Sequence, residues 1–433
     1  MAMDGKELVE KLAKLSQVQS IKDIPQLTHA LFPGTHCPLM GAAMAVGGIK
    51  DSLIVVVGTD ECTYYTKSMT IHSEKFGGIG GRCVSVVLDD HDVTFGSAEK
   101  VQEAFKEIIE EYRPQCVFLV TTCVIEIIGD DFDAISEGLS ELYGIPVLPV
   151  HTEHFKCEDH LPGLERTITV CAEMMKSCDS DNSVNLLGQR MGDFATTELY
   201  AMLQKAGVKI GLQLPCGCSV DDIKNAAAAK VNIVVNDIAL PLAQKMQEKF
   251  GIPYVYFNKF VIPEKIYEAY KNLFGYLELE LPGELEGLYQ NAREKIEKNK
   301  GELEGITYIY GNTPYAVFEM NCFLSSLGMV PQVIQTNRYT EADEPYAKEI
   351  LQYTDPYVCK AANIAPLQYV YDVLSPYLYL GHEFGNRLRQ KGIAIVHSDR
   401  ASGMLGFEVT GYLLQQLVKS VREAKEYRKE LCL

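Results

Sequence analysis

The chain has 433 residues, 47% of them hydrophobic and 23% charged, enough for roughly three domains with cores of their own, which removes a small disulfide-stapled scaffold from consideration. No apolar run approaches the ~18 residues of a membrane span, and a formal net charge of −18 with a pI near 5.0 repels phosphate backbones, so no membrane and no nucleic acid is expected as a partner. The opening stretch MAMDGKELVEKLAKL lacks the apolar core and small-residue cleavage site of a secretory signal, which points to the cytoplasm; thirteen cysteines in a reducing compartment point to metal or redox work rather than to disulfides.

In chain order, short runs rich in Val, Ile and Leu alternate with helical patterns, the signature of parallel strands buried on both faces and joined by crossover helices. The expected fold is therefore α/β, with three Rossmann-like domains of parallel sheet flanked by helices. Strands are expected over 53–57, 84–88, 117–120 and 147–150, with an amphipathic helix over 98–111. The polar stretch CDSDNS closes a first domain of residues 1–180. A second domain, 181–300, carries strands over 184–187, 208–212, 231–235 and 254–257, helices over 196–206 and 242–250, and a charged connecting helix within 277–304. A third, 301–433, opens with a strand over 306–310 and ends with a strand over 393–396 and an amphipathic helix over 407–427. Ligands of such sheets bind beyond the carboxyl ends of the strands, so site residues are sought in the loops that follow strands.

Cys83, Cys116, Cys171, Cys322 and Cys359 lie among apolar or helical neighbours and read as core residues. Cys37 in THCPLMGAA, Cys62 in VVVGTDECTYY and Cys123 in FLVTTCVIEIIGDD differ, because the last two follow strands directly. Soft thiolates converging from separate loops are what an iron-sulfur cluster requires, although these separations exceed any compact CxxC motif. Cys216 and Cys218 in LPCGCSVDD can ligate one metal or form an easily reduced disulfide, or be buried loop thiols. His151, His154, Cys157 and His160 recur every third residue in HTEHFKCEDH; they are either donors to a metal or polar side chains that protonate a substrate. There is no GxxxxGK[ST] loop, and FGGIGGR has the wrong register for dinucleotide binding, so the chain itself is not expected to hydrolyse ATP.

The segments CPLMGA, GTDECTYY, TTCVIEIIGDD, GIPVLPV, VNLLG and VNIVVNDIALPLAQKMQEKFGIPY resemble nitrogenase component 1 and its relatives, among them cofactor-assembly scaffolds and the light-independent protochlorophyllide reductases. The resemblance implies that Cys37, Cys62 and Cys123 are the thiolates one subunit gives to a cluster, 4Fe-4S or larger, shared at a subunit interface. It further implies a homologous or identical second subunit, a separate ATP-dependent iron-sulfur reductase that delivers electrons, and a small-molecule substrate in an interdomain cavity. Asp60 is a possible further ligand, and Glu126 and Asp130 are candidates to support the cluster.

Two departures matter. The strand VNIVVN ends in Asn236 where nitrogenase catalytic subunits and scaffolds place a cofactor-holding Cys, and Leu405 falls where the catalytic subunit places a His. Neither an amide nor an alkyl group replaces thiolate or imidazole as a ligand. The expectation is therefore a nitrogenase-like oxidoreductase subunit acting on a substrate other than dinitrogen, tetrapyrrole reduction being the nearest analogy, with His151 or His154 supplying protons and Asn236 lining the cavity. The alternative is a scaffold for assembly of a complex metal cofactor, with Cys216 or Cys218 replacing the ligand missing at Asn236.

Overall fold

The computed structural model of the chain describes residues 5–27, 36–72, 79–157, 159–190, 192–258, 260–311, 313, 316–360 and 364–432. Two-residue strands β1 (Ala13–Lys14) and β2 (Ile49–Lys50) precede the first large sheet, formed by β3 (Ser52–Gly58), β4 (Cys83–Val87), β5 (Cys116–Thr121) and β6 (Val147–Val150) in the order β4-β3-β5-β6. All its pairings are parallel. Every residue of β3 and β5 is buried, so each strand is covered on both faces, as its unbroken apolar run requires. One cover is helix Ala98–Tyr112, whose Val101, Phe105 and Ile108 face inward at helical spacing. Another is helix Phe132–Tyr143, capped by Asp131 at the Ala134 amide and closed by left-handed Gly144.

The second sheet comprises β7 (Val184–Gln189), β8 (Ile210–Pro215), β10 (Val231–Val234) and β11 (Tyr254–Tyr256) in the order β11-β10-β7-β8, again all parallel. The short β9 (Cys218–Ser219) pairs with β2 and so ties the second unit to the first. The expected strand over 208–212 begins later, at Ile210, because Val208 donates its amide to Leu203 and finishes the preceding helix through Gly207. The connecting helix is also shorter than its charged segment. Helix Pro263–Leu277 ends at left-handed Glu278, and a new helix runs over Leu285–Leu303.

The third sheet is built from β12 (Thr307–Tyr310), β13 (Val330–Gln335), β14 (Tyr357–Cys359), β15 (Leu378–Leu380) and β16 (Ala394–Val396), with β1 added antiparallel to β14 at one edge. The N-terminal segment thus joins the last sheet rather than the first, held there by the Ser16 hydroxyl donating to Asp355 at 2.7 Å. Helix Glu408–Glu430 packs on helix Leu285–Leu303, and Arg422 bonds Glu302 at 2.8 Å.

All three sheets reverse direction in the same way. The chain moves from β3 to β4 on one side and returns with β5 on the other; β7, β8 and β10 repeat this, as do β12, β13 and β15. Each reversal opens a crevice at the carboxyl ends of two neighbouring strands, the usual place for a ligand in such sheets.

Candidate metal centre and interdomain recess

The first crevice gathers the three singled-out thiols. Cys62 is the third residue of helix Asp60–His72, which follows β3, and Cys123 is the first residue of helix Cys123–Ile128, which follows β5. The two strand ends lie so close that a Cβ on Gly58 would sit 2.1 Å from the Thr122 hydroxyl. Cys37 caps helix Pro38–Gly47, whose first position is the proline that helix starts favour. That helix is pressed against helix Leu161–Val170: a Cβ on Gly163 would lie 1.8 Å from the Pro38 carbonyl oxygen, and one on Gly41 would lie 1.9 Å from that of His160. Glycine at both positions lets the backbones meet and brings Cys37 to the other two.

All three thiols are half-buried and unpaired in disulfides. Burial pushes the Cys62 thiol up from its ordinary value, the Thr59 hydroxyl opposes this, and the charges of Cys37 and Glu61 add to it. Burial likewise raises Cys123, helped by Cys62 and Cys37. The sulfurs therefore lie within electrostatic reach of one another, and holding them as thiolates calls for positive charge between them. They are not all within 4.8 Å of one another, whereas thiolates around one zinc at about 2.3 Å would sit roughly 3.8 Å apart. Three converging thiols at wider than single-ion spacing suit a polynuclear iron-sulfur group, which these residues would hold. Among the described residues the one donor set of tighter spacing is Asp89, His91 and Asp92. Lys100 already bridges both carboxylates, so that set carries its own cation.

The other residues singled out by sequence are dispersed. His154 Nδ1 lies 2.9 Å from Cys123 Sγ, while His151 Nε2 lies 3.1 Å from the exposed Asp133 carboxylate. Cys157 contacts Arg166 and the Thr152 carbonyl, and His160 turns to Arg190; the period-three quartet does not form a metal-sized donor set. Glu126 accepts bonds from Thr121, Thr152 and the Glu153 amide, and Asp130 from the Ser97 amide and hydroxyl. Both carboxylates are thus occupied in bracing the loops. Asp60 is exposed at its helix start. Cys83, Cys116, Cys171, Cys322 and Cys359 are buried as expected. Of FGGIGGR, residues 76–78 lie outside the described residues, and Ile79–Arg82 form a short helical turn.

Neither Cys216 nor Cys218 is in a disulfide, and the two differ in kind. Cys218 is 1% exposed within a core cluster, its thiol pushed up to about 12 chiefly by burial. Cys216 is half-buried and donates to the Arg190 carbonyl at 3.4 Å. Asn236 uses its side-chain oxygen to cap the Ile238 amide, and Leu405 is fully buried.

The second crevice, between the ends of β7 and β10, holds residues the sequence reading did not single out. Asp237 follows Asn236 and keeps open surface, yet it is walled in closely enough that burial, the largest cause, raises its carboxyl; Arg338 opposes and Asp343 adds. Tyr256 and Asn258 donate to it. Glu165 is raised by burial, against Arg338 and Arg166. Arg190 follows β7, and its Nη2 meets His160 Nε2 at 3.1 Å. Glu319, 5% exposed, is raised to about 7, mainly by burial, and its Oε1 has no hydrogen-bond partner. These side chains come from all three sheet units, so the crevice lies where the three units meet. Arg190 and Asp237 could have been found by the rule that located Cys62, since both follow strands; without a motif around them they read as ordinary loop residues.

Three sheet units around a thiol-lined crevice and a second, charged crevice define a three-unit α/β protein with a candidate metal centre. A family model described as nitrogenase component 1 type oxidoreductase matches residues 37–422, and the chain belongs to that family. The nitrogenase iron-molybdenum cofactor biosynthesis protein NifE of Clostridium pasteurianum is 31% identical over 224 residues, 51% of this chain and 49% of that protein. This chain thus spans about half the length of that relative. NifE of Rippkaea orientalis is 25% identical over 331 residues, 73% of this chain and 69% of that protein. The nitrogenase molybdenum-iron protein alpha chain of Methanosarcina barkeri is 24% identical over 330 residues, 72% and 62% of the two chains. In fold the chain is similar to the solved nitrogenase Cp1 at pH 6.5, with a TM-score of 0.78 at 15% identity over 93% of this chain and 95% of that one. Among the described residues no helix is long and apolar enough to cross a membrane.

Proposed function

We propose that this chain is one subunit of a nitrogenase-like oxidoreductase. In this reading Cys37, Cys62 and Cys123 hold an iron-sulfur cluster at an interface with a homologous or identical subunit, and an ATP-dependent iron-sulfur reductase feeds it electrons. The substrate is a small molecule in the interdomain recess. The observation that carries the reading is the convergence of three half-buried thiols, from three separate loops, within electrostatic reach of one another. Such a cluster supplies single-electron transfer; the chain's own residues supply the thiolates, the braces Glu126 and Asp130, and the walls of the recess. Three thiolates leave a cubane one ligand short, which a partner subunit completes. Exposed Tyr64, Phe95, Ile127 and Phe155 offer apolar surface near these loops for such a contact.

Asn236 and Leu405 supply neither thiolate nor imidazole, so the recess takes a substrate rather than the large cofactor of dinitrogen reduction. His154 stands beside Cys123 and His151 beside Asp133. The carboxyl with a pKa suited to proton donation near neutral pH is Glu319.

A second reading is a scaffold on which a metal cofactor is assembled, favoured by the names of the NifE relatives. Anaerobic purification with iron and sulfide counts and EPR tests what the two readings share: Cys37→Ala, Cys62→Ala and Cys123→Ala should each lose the cluster, and full retention in all three would remove both. Turnover separates them. An oxidoreductase consumes ATP and substrate repeatedly with its reductase, whereas a scaffold releases one cofactor per site.

A further inference from the structure

Among the described residues, several partly buried cations are matched by carbonyls or acids. Arg82 is partly buried and donates to the carbonyls of Gly47, Ile49 and Ser52, so its fork is filled by backbone. Arg166 meets Glu153 at 2.7 Å. Arg338 is felt by both Asp237 and Glu165, and Lys265 by Glu319. Arg190 is walled in so that burial lowers its pKa, yet it keeps open surface and has no ion-pair partner among the described residues. A guanidinium has five donors and no acceptor, and Arg190 approaches His160 Nε2 at 3.1 Å.

That contact fixes the state of the histidine. Arginine can only donate, so His160 Nε2 must accept, which makes the ring a neutral imidazole with its proton on Nδ1. Burial and the neighbouring guanidinium both act in this direction, lowering its pKa to about 4. His160 therefore brings no negative charge. Cys216 donates to the Arg190 carbonyl and is a thiol in that bond. Asp159 is within electrostatic reach, but its carboxylate accepts from the Leu161 amide at 2.8 Å. Among the described residues no carboxylate bonds this partly buried guanidinium, so it keeps donors that a ligand anion can take up.

We propose that Arg190, oriented by neutral His160 at the crevice between β7 and β10, binds a carboxylate group of the recess ligand. The planar fork of Arg matches a carboxylate through two parallel bonds, which a lysine ammonium cannot reproduce. The placement also suits the chemistry next door. His36 precedes Cys37, bonds Tyr65 at 2.9 Å, and meets the His160 ring edge-on at 6.4 Å between centroids, so a ligand on Arg190 lies two rings from the first of the converging thiols. The proposal rests on the reading of the recess as a ligand site, and it deepens that reading by naming the group recognised.

The test is calorimetric titration of glutarate into the anaerobically purified chain at neutral pH and low salt, with inorganic phosphate as a parallel arm. The wild type should give saturable heat with glutarate, weakened by about ten-fold or more in Arg190→Gln and also weakened in Arg190→Lys, which keeps the charge but not the fork. Absence of saturable heat in the wild type, affinity in both variants equal to wild type, or phosphate bound more tightly than glutarate would each overturn the proposal. A second readout needs no variant: glutarate should slow iodoacetamide labelling of Cys216, mapped by mass spectrometry, and an unchanged rate would count against the site. Iron and sulfide counts are taken on the same samples. Absence of glutarate binding to the wild type with iron intact refutes this inference alone, whereas loss of iron in the Cys37, Cys62 and Cys123 variants bears only on the cluster.

Discussion

The first and second sheets reverse strand order identically, yet the two crevices are charged in opposite senses. The β3/β5 crevice gathers three thiols, two of which, Cys62 and Cys123, are raised by burial and by a neighbouring thiol and would be stabilised as thiolates by a cation. The β7/β10 crevice gathers acids that burial drives toward neutrality beside the cation Arg190, for which no ion-pair partner lies among the described residues. In the proposed reading the same topology makes one place for iron and another for an anion, because the residue following each strand differs. Fold supplies the crevice and the strand-end residues supply its chemistry.

The largest expected effect would break the first half of this comparison. Cys37→Ala, Cys62→Ala and Cys123→Ala should each abolish or nearly abolish bound iron and acid-labile sulfide, while Cys116→Ala and Cys171→Ala, whose thiols are fully buried in the core, should retain both and instead lower the thermal midpoint. Equal iron loss in the two groups would mean that the cluster tracks global folding and not the crevice.

The second expectation concerns acids held neutral. Glu319 ionises near its ordinary value of 4.5 when unfolded and near about 7 when folded. The folded state therefore holds a proton that the unfolded chain has released. Its contribution is fully present below pH 4.5 and is lost as pH rises through 7, amounting to roughly 3 kcal/mol at the alkaline limit. Glu319→Gln should flatten this part of the stability curve, matching wild type near pH 4 and melting higher at pH 8. Parallel curves for the two proteins across that range would show that the carboxyl is not held neutral.

How much of this was legible in the sequence follows from range. Strands β3, β5, β7 and β10 could be read because a doubly covered strand is a continuous apolar run, and Cys62 and Cys123 because they follow such runs directly. The chain order of the strands does not tell which edges meet, so β1 joining β14 was out of reach, as was Arg190 meeting His160 across two sheet units. The period-three spacing of His151, His154, Cys157 and His160 does not become a shared face, for a local reason. Glu153 is left-handed at φ 42° and a single helical turn follows, so residues three apart do not share a face. Cys216 and Cys218, one residue apart in a loop after a strand, read alike as candidate ligands or buried thiols. The intervening Gly217, at φ 86°, turns the chain so that Cys218 enters a strand and the core.

A smaller effect probes how Cys37 is brought in. A methyl group on Gly163 would meet the Pro38 carbonyl at 1.8 Å, so Gly163→Ala must push the two helices apart at a cost of about 2 kcal/mol. Because Pro38 adjoins Cys37, the variant should also bind less iron at a given concentration than wild type, measured after correction for the unfolded fraction. Undiminished iron would mean that Cys37 is placed by something other than this helix contact.

The smallest effect separates the two cysteines of LPCGCSVDD. Cys218→Ser puts a hydroxyl where the thiol is 1% exposed among apolar neighbours, and an unmatched buried hydroxyl costs about 1 kcal/mol or somewhat more. Cys216→Ser lies at the recess, where a hydroxyl can still donate to the Arg190 carbonyl, and should leave stability unchanged within ~0.5 kcal/mol. In urea melts the first variant should lower the midpoint without changing the slope and the second should leave both alone, with iron content untouched in each. If Cys218→Ser instead released iron, the second crevice would hold metal as the first does, and the division between a cation-seeking and an anion-seeking strand end would fail.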